Sequence, residues 1–243
     1  MVESIYTHYN GNPFALKIVA ITAAEIILDR NTIAEFYRLM HKGKFQFRTI
    51  DDILQRQFDR LSPVEQNLVY WLAIEREPVT RKELCLNLFS PQTETYSTFD
   101  ALVSLSRRCL AVRQQETWSI EPVMIAYATE RLIDRLTREL GSELVEVGLI
   151  DLAQRFFHLN TYAIVKPQAK DYLRRAMVQL ILRPILDRLL KIWQTPVALI
   201  QHLKNILAGW QSQQPIPLGY LAENILNLLI ELADRAFRQN RSR

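Results

Sequence analysis

Between Leu61 and Ile120 the apolar positions run through three stretches of helical spacing and then two short extended stretches around a polar turn. Ser62-Pro63-Val64-Glu65 opens the first helix: a hydroxyl acceptor at the N-cap, a proline at N1 whose missing N–H costs nothing, and a carboxylate at N3 that reaches back to the cap. Val64, Leu68, Trp71 and Leu72 continue it, and the stretch stops by Glu77-Pro78, because a residue before proline is pushed out of the α region. Thr80-Arg81-Lys82-Glu83 is a second capping box, predicting a short helix with Leu84, Leu86, Leu88 and Phe89 on its apolar face and Pro91 as its stop. Phe99, Leu102, Val103 and Ser106 predict the stripe of the third helix. Leu110 to Arg113, Gln114 to Thr117 and Trp118 to Ile120 then read as strand, turn and strand. Helix, helix, helix and hairpin is the order of a winged helix-turn-helix.

The flanks are helical too. A short helix over residues 3–10 leads to the turn Asn10-Gly11-Asn12-Pro13. From Pro13 to Leu28 apolar residues leave only a thin polar stripe of Lys17, Thr22, Glu25 and Asp29, so this helix is expected to be covered on most sides, by structure upstream. Asn31 caps a helix with Ile33, Phe36, Tyr37 and Met40 inward, and Thr49 caps another with Ile50, Ile53, Leu54 and Phe58 inward. After the wing, Val123 to Leu140 is amphipathic through Ala128, Leu132, Ile133 and Leu136, with Gly141 placed as a C′ glycine. Helical stretches follow over Leu144 to His158, Pro167 to Trp193 with Pro184 ending or kinking the pattern, Pro196 to Trp210 and Leu218 to Phe237, with Gln211 to Pro217 as the clearest linker. The expected architecture is mainly α: a helical subdomain over 1–48, a winged-helix domain with a short β-hairpin wing over 49–140, and a helical arm over 141–243.

Composition narrows the function classes. With 49% hydrophobic and 23% charged residues the chain is globular, and it holds no apolar run of the roughly 18 to 20 residues a membrane span needs. Met1-Val2-Glu3-Ser4 lacks the basic and apolar regions of a signal peptide, so a soluble cytoplasmic protein is expected, with no membrane partner. Six glycines supply no phosphate loop, and Gly43-Lys44-Phe45 lacks the rest of a P-loop. Cys85 and Cys109 fall in apolar helical patterns with no ligand partners at metal spacing, and read as buried small hydrophobes. His8, His41, His158 and His202 are scattered. No paired carboxylates, nucleophile with a base, or metal cluster can be assembled, so no enzyme and no metal are expected. The net charge of +4 permits a nucleic-acid or acidic partner without demanding one. The alternative to an interaction module is a DNA-binding regulator, with the helix from Tyr96 to Arg108 in the major groove and Arg107, Arg108 and Arg113 meeting phosphates or base edges. Against it, the exposed positions expected on that helix are Glu94, Ser97, Asp100 and Ser104, which make no cationic stripe.

Tyr9-Asn10-Gly11-Asn12-Pro13-Phe14-Ala15-Leu16-Lys17-Ile18-Val19-Ala20 resembles the Gly-x-Pro-Leu-Ala-Leu segment of the NB-ARC class of STAND signalling ATPases, especially the large bacterial forms, typical of cyanobacteria, that carry WD or pentapeptide repeats. Leu61 to Pro78, Glu121 to Leu136 and Ala169 to Leu173 are similar to the same family's winged helix and the arm behind it. The resemblance implies a nucleotide-gated switch of which this chain is the middle, with ADP or ATP held only together with a P-loop domain, in cis or in trans. It places Pro13, with Gly11, near the adenine. It sets Ile120-Glu121-Pro122 where the family carries Met-His-Asp at the phosphate end; Glu121 replaces the histidine, and a carboxylate there repels phosphate. Self-association or a P-loop partner is expected for the apolar N-terminal helix, and nucleic acid is not.

Overall fold

The computed structural model describes residues 50–88, 95–142, 152–212 and 218–241, with 13, 14, 16–18 and 20 near the start. Gly11 and its turn, the helices expected over residues 3–10 and from Asn31 to Met40, the stretch from residue 21 to Leu28, Phe89 to Glu94, and residues 213–217 of the linker lie outside the described residues.

Both capping boxes form. After α1 (Ile50–Asp59), α2 (Pro63–Glu75) starts where the Ser62 hydroxyl accepts the Glu65 N–H at 3.3 Å and the Glu65 carboxylate accepts the Ser62 N–H at 2.7 Å. Every residue of α2 from Leu68 to Glu75 is buried, so this helix is enclosed rather than amphipathic. It ends at Glu75, just before Glu77-Pro78, and is capped by Arg76, which has a left-handed φ of 58° and an N–H bonded to the Leu72 carbonyl. Strand β1 (Val79–Thr80) follows, then α3 (Arg81–Asn87), capped reciprocally by Thr80 and Glu83. Helix α4 (Thr95–Arg107) leads to the hairpin of β2 (Val112–Gln114) and β3 (Thr117–Ser119). The three strands form an antiparallel sheet in the order β1-β3-β2, with Val79 opposite Trp118 and Trp118 opposite Arg113. This is the winged-helix arrangement, completed by a strand of two residues that is too short to show alternation in the sequence.

Four sequence expectations need correction here. The inner face of α4 is Thr98, Ala101, Leu102 and Leu105, a clean i, i+3, i+4, i+7 set, whereas Phe99, one position round the helix, is 36% exposed. On α3 the buried positions are Leu84 and Asn87; Leu86 is 73% exposed, because a helix of seven residues contacts the core along one turn. The wing is tighter than expected: Gln114 pairs with Thr117, and Gln115 takes up the reversal at φ 54°. Cys109 lies past the end of α4 at φ 57°, where the Leu110 N–H reaches back to the Leu105 carbonyl at 2.9 Å and turns Leu110 and Ala111 into the core. Both cysteines are free and half-buried rather than buried.

Helix α5 (Pro122–Gly141) buries Met124, Ala128, Leu132, Ile133, Leu136 and Leu140. Gly141 is its last helical residue, not a C′ glycine; a Cβ there would lie 2.9 Å from the Ile192 side chain, so its smallness serves packing. The arm comprises α6 (Leu152–Arg155), α7 (Phe157–Thr161), α8 (Asp171–Met177), a π-helical segment (Val178–Leu182), α9 (Arg183–Trp193), α10 (Pro196–Gln211) and α11 (Leu221–Arg241). Pro184 stands in the first turn of α9, where the π segment has already opened the hydrogen-bond ladder, so the helical run continues through it. Helix α9 packs on α5 and α10, α10 on α11, and α7 lies against both α5 and α11. Buried residues from Ile53 to Leu232 make one contiguous core, which passes from winged helix to arm without a break. Among the described residues no helix is long and apolar enough to cross a membrane.

Candidate functional site

The positions singled out by resemblance are placed as follows. Pro13 is helical and exposed, Lys17 is exposed, Phe14 and Leu16 are half-buried against the core, and Ile18 is buried. Glu121 is the N-cap of α5, with extended backbone and a side chain that caps nothing, while Ile120 beside it is buried. The positive end of α5 therefore already faces a carboxylate, which stabilises the helix and competes with an incoming phosphate.

The three arginines of the DNA-binding alternative do not converge. Arg107 is exposed in the last turn of α4, where a cation suits the helix dipole. Arg108 is half-buried and lends its charge to Glu65, whose carboxyl is pushed up by burial but held below its ordinary value by hydrogen bonds from Ser104 and Ser62 and by Arg108. The described residues of the first turns of α4 present Ser97 and Asp100 outward, and a recognition helix reads bases from that end. Arg113 lies on the wing, with its Nε donating to the Gln115 carbonyl at 3.0 Å and its guanidinium 5.5 Å from the Trp118 ring.

Arg113 has different company. An open groove of about 690 Å³ runs between the start of α3, α4 and the wing, lined by the cations Arg81, Lys82 and Arg113, by Cys85, Phe99 and Trp118, and by Thr80 and the carboxylate Glu116. Arg81 stands 5.8 Å from the Phe99 ring, as Arg113 stands over Trp118, so each guanidinium lies against an aromatic wall. Arg81, Lys82 and Arg113 are exposed, and none meets a carboxylate among the described residues. The sequence signal for this groove was the Arg-Lys pair inside the second capping box, which the capping reading absorbed.

The seam between winged helix and arm holds the remaining polar chemistry. Glu139 on α5 accepts the backbone N–H groups of His158 and Leu159, each at 2.9 Å, and so caps α7 from a distance. The same carboxylate accepts the His158 Nδ1–H at 2.6 Å, which leaves Nε2 to accept from the Arg135 guanidinium at 2.6 Å. Glu75, buried at the end of α2, takes Asn87 at 2.7 Å and the Lys166 ammonium from the arm, and Glu77 takes Lys170 and the Tyr172 hydroxyl. Aromatic rings bridge the same seam: Tyr70 and Trp71 of α2 lie 5.3 and 5.6 Å from Tyr162, and Trp71 lies 5.6 Å from Tyr220. Burial pushes the Tyr162 hydroxyl far above the phenol range, so it stays neutral. Asn224 closes the set by bonding the Leu159 carbonyl of α7 and two backbone groups of the loop before α8, the Tyr162 carbonyl and the Ile164 N–H. Among the described residues no group of three or more His, Cys, Asp or Glu is disposed to hold a metal.

Over 249 aligned positions the chain is 30% identical to a protein of Nostoc sp. (strain PCC 7120) described as an uncharacterized WD repeat-containing protein. The match covers 93% of this chain but 20% of that protein, so the chain spans a fifth of the relative's length. No family profile matches the chain, and no solved structure does.

Proposed function

We propose that the chain is a regulatory and interaction segment of a larger WD repeat-containing protein, in which the winged helix and arm move as one lever. The observation that carries this is the seam. Long-range ion pairs, an aromatic ladder and a buried asparagine tie α2 and α5 to the arm, and packed polar networks of this kind cost several kcal/mol in desolvation if opened on one side. A displacement applied at one end then reaches the other without loss in a flexible linker. Within this reading the lever belongs to a STAND-type switch. ADP or ATP is bound only with a P-loop domain supplied in cis or in trans, Gly11 and Pro13 lie toward the adenine, and the chain performs no catalysis of its own. The similarity to a WD repeat-containing protein supports a place in a multidomain signalling assembly.

Lever behaviour is tested by double electron–electron resonance between labels at Gln114→Cys on the wing and Gln201→Cys on the arm, with Cys85 and Cys109 replaced by serine. One narrow distance distribution is the expected result; a broad or bimodal one overturns the lever. The nucleotide part is tested by calorimetry with ADP against the chain, a separately expressed P-loop domain of the resembled class, and their mixture. Tighter binding by the mixture, reduced by Pro13→Ala, supports it, and identical binding by the P-loop domain with and without the chain removes it.

A further inference from the structure

We infer that the groove between α3, α4 and the wing is a docking site for an acidic, partly apolar peptide segment of a protein partner. The first argument is charge. Arg81, Lys82 and Arg113 converge on one groove of about 690 Å³ whose lining holds one carboxylate, Glu116, and none of the three is ion-paired among the described residues, whereas many other cations of the fold, including Arg131, Lys166, Arg183, Arg188 and Arg235, are paired. Three exposed cations left in one concavity repel each other, and an anionic ligand relieves that repulsion. The second argument is preorganisation. Arg81 and Arg113 rest against Phe99 and Trp118, and Arg113 is also tied to the Gln115 carbonyl, so the guanidinium forks lose little freedom when a carboxylate arrives. The third is the floor: Phe99, Trp118 and Cys85 offer apolar surface between the charges, which suits a peptide whose acidic residues are interspersed with apolar ones. The sheet adds a backbone template, because in the order β1-β3-β2 strand β2 is an edge, and Arg113 and Gln114 on it are exposed.

Nucleic acid fits this surface less well. The cations gather in one groove rather than along a stripe, Glu116 lines that groove and Asp100 stands exposed on α4, and Arg107 and Arg108 lie at the far end of α4. This inference does not rest on the nucleotide switch; it concerns the winged helix alone.

The experiment uses the full chain and a fluorescein-labelled decapeptide of alternating Asp and Leu, followed by fluorescence anisotropy at 150 mM salt. Saturable binding is expected, weakened at least fivefold by 500 mM salt and at least fivefold by Arg81→Gln with Arg113→Gln, while Arg107→Gln with Arg108→Gln leaves it unchanged. Circular dichroism melting of each variant separates loss of binding from loss of fold, and Lys82→Gln is the second variant if the double one is unstable. Amide shifts on peptide addition should map to residues 80–85 and 112–118. The inference is overturned by absence of binding at 1 mM protein, by equal binding of a Lys-Leu decapeptide, by binding that the groove variants retain, or by a random 20-base-pair duplex that displaces the peptide at lower concentration.

Discussion

Asn224 and Ile164 are sixty positions apart in the chain, yet the Asn224 Oδ1 accepts the Ile164 N–H at 2.8 Å with both residues fully buried. The amide of the same side chain donates to the carbonyls of Leu159 and Tyr162, each at 2.7 Å. One residue of α11 thus satisfies the Leu159 carbonyl of α7 and two backbone groups of the loop that follows, at Tyr162 and Ile164, which is how that loop can lie in the core. Asn224→Leu leaves all three orphaned and should cost about 3 kcal/mol or more, at roughly 1 to 3 kcal/mol per stranded group. Urea denaturation measures it, and hydrogen exchange should show protection falling first around Ile164.

Glu139 serves as a remote cap, and its loss should act on α7. Glu139→Ala strands the His158 and Leu159 N–H groups and is expected to destabilise by about 2 kcal/mol. Nitrogen-15 shifts of the imidazole should report the Nδ1-protonated tautomer in the native chain at neutral pH, and a mixture of tautomers in the variant.

The two capping boxes give a pH dependence of known sign. The Glu83 carboxyl is held below its ordinary value of 4.5 by the Thr80 N–H and hydroxyl, and Glu65 lies below it as well, although burial opposes the shift there. A folded carboxyl that binds its proton less tightly than the unfolded one contributes stability fully above the unfolded value and loses it as pH falls through the folded value. Stability should therefore drop below about pH 4.5. Ser62→Ala and Thr80→Ala should each cost about 1 kcal/mol at neutral pH and flatten the acid slope, with the effect smaller at Thr80, whose partner Glu83 is exposed where Glu65 is buried. Denaturant titrations between pH 3 and 7 check it.

Gly219 has φ 154°, and a Cβ built there would fall 1.9 Å from the Asn160 Oδ1. Asn160 donates to the Leu218 carbonyl at 3.2 Å and accepts the Tyr220 N–H on its own carbonyl at 2.8 Å, so it has no room to withdraw. Gly219→Ala should destabilise by about 2 kcal/mol or more, through strain and the lost bond. A fall in Tm with the Trp near-ultraviolet signal reduced is the expected reading.

The chain by itself should release no phosphate from ATP. A phosphate-release assay on repurified protein tests this, and turnover above buffer removes the expectation that catalysis lies elsewhere.

Legibility in the sequence followed locality. Ser62, Glu65, Thr80 and Glu83 could be read directly, because a capping box is complete within four residues. The phase of α4 was misread by one position because Phe99, the largest apolar residue nearby, was assigned to the core when it forms a groove wall. Strand β1 was silent, since two residues carry no period. The candidate groove was half visible: Arg113 stood out as a cation, but its partners Arg81 and Lys82 come together with it only when β1 pairs with β3. The seam was the least legible part, because Glu139 with His158 and Asn224 with Ile164 are contacts that no local pattern announces.

The π-helical segment has a geometric consequence for the arm. Leu173, Met177, Ile181, Ile185 and Leu189 are all buried, at intervals of four residues. An unbroken α-helix turns about 100° per residue, so over those sixteen steps Leu189 would end roughly 160° round the axis from Leu173, on the side facing water. The wider turn at Val178 to Leu182 winds back part of that drift, as a vernier realigns two scales. Winding Val178 to Leu182 as ordinary α-helix with every residue retained would rotate α9 off the surface of α5 and turn Ile185 and Leu189 outward, whereas deleting one residue there would let plain α-winding keep both on the buried face.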